Sequence, residues 1–322
     1  MACGYDMSGR TAYSGLVITA LAGGVGAARL LSGMPAVSNP ADMTVIANTA
    51  DDLDLFGLRI CPDIDTLVYT LAGASNLETG WGIAGETWNA IDALSRFGAP
   101  TWFKLGDKDL GTHLYRTSRL EAGATLTDVT DEIARSWNIA MRILPMSDTP
   151  VRTLLDVQGH GEISFQDYFV RLAHGVEVKS LRFKGADEAE PGPQVLDAIL
   201  SAERIIICPS NPIVSIGPIL ALAPIRKALI SRREAVVAVS PIVAGAAIKG
   251  PADRLMSELG FRSDVTGVAQ IYSEICSTLV IDNADSALAG QVEELGLKCI
   301  VTDTIMSSAE VTSELCAKVI DG

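Results

Sequence analysis

A chain of 322 residues with 48% hydrophobic content buries a sizeable core, and 39 acidic against 25 basic residues leave a net charge of −14. That charge repels a phosphate backbone at long range and excludes nucleic acid as a partner. Six widely spread cysteines without a C-x-x-C pair, and three histidines far apart, exclude zinc-finger, disulfide-scaffold and H-E-x-x-H chemistry. No apolar run is long enough to span a bilayer, and the polar opening MACGYDMSGRTAYSG lacks the apolar core of a signal peptide. The expectation is a cytoplasmic protein with no membrane partner, a disordered leader over residues 1–15 and a single domain over 16–322.

In chain order, Leu16 to Ala22 (LVITALA) is a continuous apolar run ending in glycines, which predicts a central strand buried on both faces. A helix follows from Ala27, then a second strand at 44–47 that ends at Asn48 and an acidic stretch, opening a parallel βαβ unit. Residues 62–175 read as a mainly helical insertion capping the ligand edge of the sheet, with helices at 64–72, 85–97, 107–121 and 126–137. After the polar stretch Lys184 to Pro193 the chain alternates again: helix 193–202, strand 204–208, helix 217–231, strand 235–240, helices 251–260 and 266–276, strand 278–282, helix 284–295 and strand 298–302. The fold class predicted is α/β, a doubly wound, mostly parallel Rossmann-like sheet with a helical insertion.

Six segments carry candidate chemistry. Gly23-Gly24-Val25-Gly26 joins the first strand to the first helix, where glycines let backbone N–H groups approach an anion at a helix N-terminus. The spacing is neither G-x-G-x-x-G nor a Walker A loop. Asn48-Thr49-Ala50-Asp51-Asp52-Leu53-Asp54 places three carboxylates at the carboxyl edge of the second strand, as a cation site, a ribose-binding acid or a solvated loop. Pro62-Asp63-Ile64-Asp65 opens a helix, so either acid can cap it, or a hard metal can bridge one carboxylate of this pair to one of the first cluster. The charged turn Lys104 to His113, which contains Asp107, precedes another helix. Cys208-Pro209-Ser210-Asn211-Pro212 with Ser215, and Ser240 to Gly245 with Lys249 beyond, leave strands with small polar groups that suit a nucleotide.

Together, and in this order, the segments GGVGAARLLSG, NTADD, RICPDIDTLVYTLAG, WGIAGETWNA, LGDKDLGTHL and PSNPIVSIGPIL resemble the 2-phospho-L-lactate transferase family of coenzyme F-420 biosynthesis over residues 16–250. The resemblance implies transfer of a phosphorylated three-carbon acid (2-phospholactate, phosphoenolpyruvate or 3-phosphoglycerate) from a guanosine-diphosphate-activated donor to the ribitol hydroxyl of the deazaflavin Fo. GMP is released in a step that depends on Mg²⁺, with Mn²⁺ as the substitute, and the protein is a homodimer. It further implies that Gly23, Gly24, Gly26, Ser210, Asn211 and Ser215 hold the donor, and that Asn48, Asp63, Lys104 and Asp107 face Fo. Asp51 and Asp65 are then the metal ligands, and Asp65 or Asp52 takes the hydroxyl proton. The alternative expectation is a non-catalytic, nucleotide-sugar-binding regulator that shares the glycine loop and sheet.

Overall fold

The structure is a computed structural model that describes residues 15–76 and 79–322, so the leader expected at 1–15 lies, but for Gly15, outside the described residues. Strand β1 (Ile18–Ala22) runs into helix α1 (Gly24–Gly33); β2 (Met43–Ala47) and a hairpin of β3 (Leu53–Leu55) and β4 (Leu58–Ile60) lead to α2 (Pro62–Leu71). Helices α3 (Asn89–Arg96), α4 (Asp107–Glu121) and α5 (Leu126–Ser136) precede β5 (Arg142–Pro145), followed by a small antiparallel sheet of β6 (Arg152–Val157), β7 (Gly161–Ser164) and β8 (Val178–Lys184). The second half contains α6 (Val195–Ser201), β9 (Arg204–Ile207), α7 (Gly217–Ala221), α8 (Ala223–Ser231) and β10 (Val236–Val239). A short hairpin of β11 (Ile242–Val243) and β12 (Ala246–Ala247) follows, then α9 (Ala252–Glu258), α10 (Val265–Tyr272), β13 (Thr278–Asp282), α11 (Ala289–Glu294), β14 (Lys298–Thr302) and α12 (Ala309–Asp321).

The main sheet has seven strands in the order β14-β13-β10-β9-β1-β2-β5, every neighbouring pair parallel. Covering both faces of a parallel sheet requires strands without a polar side, and β1 meets that requirement. Ile18, Ala20 and Ala22 pack with Leu30, Val68, Ile133 and Leu315 on one face, while Leu21 joins Ile199, Ile219 and Val268 on the other. Its one hydroxyl, on Thr19, donates to the carbonyl of Ala198 at 2.8 Å. The chain winds outward from β1 through β2 to β5, then returns to fill the other side from β9. The order therefore reverses between β1 and β9, and the crevice for a ligand opens at the carboxyl ends of those two strands.

The stretch expected to be helical through residue 175 instead carries β5, β6 and β7. Residues 152–157 alternate between buried and half-buried positions, a half-covered strand, and Ile143 and Leu144 are buried at the edge of the main sheet. The β3–β4 hairpin was also missed, because each arm is only three residues long. It turns on Phe56 and Gly57, both left-handed (φ 55° and 74°), the geometry of a tight two-residue hairpin. The helix expected over 217–231 is broken at Leu222 (φ −76°, ψ 104°), since Pro224 has no amide to bond the carbonyl four residues earlier.

The turn from β1 into α1 shows why the glycines are there. Gly24 adopts a left-handed φ of +72°, which swings the chain from strand into helix. A Cβ on Gly26 would lie 2.2 Å from the carbonyl oxygen of Pro209, and one on Gly23 would lie 2.6 Å from Cβ of Ser215. These two glycines thus let the turn after β9 pack directly on the start of α1. Gly26→Ala is expected to destabilise the protein by roughly 1–3 kcal/mol, because the obstructing atom is backbone and cannot rotate away. Thermal denaturation checks this, and an unchanged Tm would show that the turn moves freely.

Candidate active site

The site assembles where β1, β2 and β9 end. Asn48 follows β2 with its amide N–H bonded to the Ala22 carbonyl at 3.0 Å, and it is almost fully buried. Its side-chain Oδ1 accepts from the Ala50 amide at 2.9 Å, which fixes the orientation of the carboxamide. Nδ2 then faces three acceptors: Asp63 Oδ2 at 2.9 Å, Asp51 Oδ2 at 3.1 Å and the Val214 carbonyl at 3.3 Å. One side chain thereby ties the acidic loop after β2, the first turn of α2 and the turn after β9 to a single point. Across the crevice, Ser210 Oγ accepts from the Gly23 amide at 3.3 Å, and Asn211 Oδ1 accepts from the amides of Ile213 and Val214, shaping the turn that presents Ser215 to Gly23.

Asp51, buried, and Asp63, half-buried, are two carboxyl groups held by one amide. Burial raises the Asp51 carboxyl well above the usual carboxylate range and the neighbouring Asp63 charge raises it further; the Thr153 hydroxyl and Asn48 only partly offset this. Burial lifts Asp63 to about 6, against hydrogen bonds from Asn48 and the Gly24 amide. Asp51 Oδ1 and the nearby Thr153 Oγ1 are both buried without a well-formed hydrogen bond. Two neighbouring carboxylates, the buried one with an orphaned oxygen, fit a divalent cation, which would remove their mutual repulsion.

Asp52 turns the other way. Its Oδ2 accepts from the Cys61 thiol at 3.1 Å, and burial raises its carboxyl to about 7 despite that bond and the positive charges of Arg152, Arg116 and Arg59. Asp65 is engaged elsewhere. Both of its oxygens accept from the fully buried Arg116 guanidinium on α4, Oδ2 at 3.2 Å from Nη1, and Arg116 also donates to the Arg59 carbonyl. On the same face of α4, His113 Nδ1 lies 3.7 Å from Asp65 and Nε2 lies 3.3 Å from Asp109, which accepts from Tyr69 at 2.6 Å. Asp65, Asp109 and His113 each offer a ligand atom within 4.8 Å of the others, so this group could also hold a divalent ion. In the structure, Arg116 already supplies it with a positive charge.

The structure thus brings together Gly23, Gly24, Asn48, Asp51, Asp63, Ser210, Asn211 and Ser215, with Gly26 packed behind them on Pro209. Lys104 and Asp107 stand apart from this group: Lys104 is exposed on the loop before α4. Asp107 accepts from the Thr87 hydroxyl and from the amides of Ala90 and Asn89, which caps α3 and holds its carboxyl down at about 2. In return Glu86 accepts from the amides of Lys108 and Asp109 and caps α4. Arg116, Thr153 and Gln166, whose Nε2 donates to the Asp51 carbonyl at 2.9 Å, were not singled out from the sequence. The i, i+4, i+7 spacing of Asp109, His113 and Arg116 was a legible sign of a buried polar face on α4. Replacing Arg116 by Met should cost about 3–5 kcal/mol by stranding the Asp65 carboxylate, and an added Asp65→Leu should restore most of it. Chemical denaturation of the single and double variants measures both effects.

Comparison with known proteins places this geometry. The profile of the family described as 2-phospho-L-lactate transferase CofD matches residues 18–319, well past the span the motifs cover. A phosphoenolpyruvate transferase of Kitasatospora aureofaciens is 43% identical over 304 residues, covering 92% of this chain and 95% of that protein. A phosphoenolpyruvate transferase of Streptomyces griseus subsp. griseus is 41% identical, covering 94% and 97%. A crystal structure of a upf0052-family protein from Bacillus halodurans shares the fold with a TM-score of 0.59 at 15% identity, over 97% of this chain and 100% of that one. With the family matched across residues 18–319 and relatives 41–43% identical over almost their whole length, the chain belongs to the 2-phospho-L-lactate transferase CofD family.

Proposed function

We propose that the three-carbon acid this enzyme transfers is phosphoenolpyruvate, with Asp51 and Asp63 holding the metal and Asp52 taking the proton. The reaction class is that of the family: a phosphorylated three-carbon acid passes from a guanosine-diphosphate-activated donor to the ribitol hydroxyl of Fo, forming the F-420-0 type product and GMP. The choice of acid rests on relatives 38–43% identical that are phosphoenolpyruvate transferases. Identity at that level over the full length favours the catalytic reading over the nucleotide-binding regulator. A homodimer in the cytoplasm completes the proposal; no helix among the described residues is long and apolar enough to cross a membrane.

The observation that carries the site assignment is the Asp51–Asp63 pair bridged by Asn48. In this reading the donor's diphosphate lies at the β1–β9 crevice between the Gly23–Gly24 turn and the Ser210–Ser215 turn, which pack on each other there. Bound there, Mg²⁺ neutralises charge on the diphosphate. The hydroxyl oxygen of the acceptor forms a bond to the phosphorus bearing the three-carbon acid, the bond from that phosphorus to GMP breaks with its electron pair, and the hydroxyl proton passes to Asp52. Asp65 is less suited to that task, because Arg116 occupies both of its oxygens.

Mn²⁺ binding followed by electron paramagnetic resonance separates the two metal assignments. Asp51→Asn and Asp63→Asn should each weaken it by at least tenfold and Asp109→Asn should leave it unchanged, whereas the reverse pattern would move the ion to the α2–α4 cluster. Asn48→Ala should weaken the same binding by about 10–100-fold, the usual effect of removing a group that orients metal ligands. Asp52→Asn should lower kcat by about 10²–10⁴-fold with the donor KM unchanged. Mass spectrometry of the product made from Fo and each guanylylated donor tests the choice of acid, and exclusive use of another donor would overturn it.

A further inference from the structure

Resting on the assignment of Asp51 to the metal, we propose that Gln166 is a positioning residue for the ion, its carboxamide fixing the backbone from which the Asp51 carboxylate reaches the cation. Gln166 is 5% exposed and stands on the segment that joins β7 to β8, 115 residues along the chain from Asp51. Its Nε2 donates to the Asp51 carbonyl at 2.9 Å. The loop is held at two further points: the Thr153 amide on β6 donates to the Ala50 carbonyl at 2.9 Å, and Asn48 Nδ2 donates to Asp51 Oδ2 at 3.1 Å. With the backbone and one carboxylate oxygen engaged, the buried Oδ1 has no well-formed hydrogen bond and is the atom left for a cation.

The segment that carries Gln166 is irregular. The Leu172 amide bonds the Asp167 carbonyl, five residues earlier, at 2.9 Å and closes a π-helical turn over Asp167–Arg171. Ala173 and His174 follow in the left-handed region, at φ 46° and 44°, where residues with a side chain are uncommon. Turns of this kind concentrate at functional sites, and such backbone persists only where its surroundings hold it. Here they do. Ser164 Oγ accepts from the Asp167 amide at 3.1 Å and donates to its carboxylate at 2.7 Å, Tyr168 is fully buried, and Phe169 stacks on Phe165 and on His174 with ring centroids 5.3 and 5.5 Å apart. This framework turns one buried amide, that of Gln166, onto the acidic loop. An apolar residue of the same size would fill the space but leave the Asp51 carbonyl unpaired, releasing the peptide that sets the direction of the carboxylate.

Gln166→Met keeps the volume and removes the donor. Mn²⁺ binding, followed by electron paramagnetic resonance, is expected to weaken about 10–100-fold. The Mg²⁺ concentration for half-maximal turnover should rise by the same factor, with kcat at saturating Mg²⁺ within about threefold of the unmodified protein. Phe169→Leu loosens the same segment without touching the amide, so it should lower Tm and leave Mn²⁺ affinity within about twofold. Unchanged Mn²⁺ binding in Gln166→Met would overturn the inference, as would equal weakening in Phe169→Leu, which would reduce the effect to general stability. Should circular dichroism show that Gln166→Met does not fold, Gln166→Asn, polar but one methylene too short to reach, carries the same expectation. The underlying metal assignment is tested separately by Asp51→Asn. If that variant binds Mn²⁺ as the unmodified protein does, the assignment falls and the inference with it; if it binds weakly while Gln166→Met binds normally, only the inference falls.

Discussion

Everything at the site depends on a single carboxamide. Asn48 has two N–H bonds to share among Asp51, Asp63 and the Val214 carbonyl, and those three acceptors come from three separate segments. The acceptors are negative or partly negative, so without the amide they would repel one another. With it, the loop after β2, the N-terminus of α2 and the turn after β9 are held at one spot, and the negative charge that remains is of the kind a divalent cation offsets. The interaction is local in length and global in effect, since it closes the crevice at the point where the strand order reverses.

The glycine loop acquires a different physical meaning in this setting. Read alone, it suggests backbone N–H groups bared for a phosphate. In the folded protein the Gly23 amide is bonded to Ser210 and the Gly24 amide to Asp63, and Gly23 and Gly26 lack side chains because the Pro209–Ser215 turn lies against them. The loop is thus first a packing surface between two βα units. Two elements outside the main sheet brace the acidic loop from the far side: β6 bonds Thr153 N to the Ala50 carbonyl at 2.9 Å, and Gln166 holds the Asp51 carbonyl.

The α2–α4 contact is a second, independent device. Arg116 and Asp65 are both buried, and a buried pair of this kind contributes less to stability than to a unique docking of two helices. Because Asp63 and Asp65 share the first turn of α2, seating Asp65 on Arg116 also sets where Asp63 points. The reciprocal capping of α3 by Asp107 and of α4 by Glu86 then locks the insertion into one arrangement. Asp65 and Asp107, candidates for ligand contact in the sequence, are engaged in the folded protein by Arg116 and by the first turn of α3.

The sequence by itself determined the parallel α/β class, the first strand as one buried on both faces (β9, not β1, is the middle strand of the sheet), the boundaries of α4, β13 and β14, and which segments carry the acids and the small polar turns. These are properties of apolar periodicity and of residue type over short windows, which the chain displays without folding. Only the tertiary structure decided which carboxylate meets which. Asp63 and Asp65 are two residues apart on a helix, so they point in different directions, and nothing local says that Asp63 faces Asp51 while Asp65 faces Arg116, fifty-one residues further on. The small sheet of β6, β7 and β8 was equally hidden, because its strands are only half-covered and carry no continuous apolar run. Contacts of that kind are set by how elements pack, and the site is made of them.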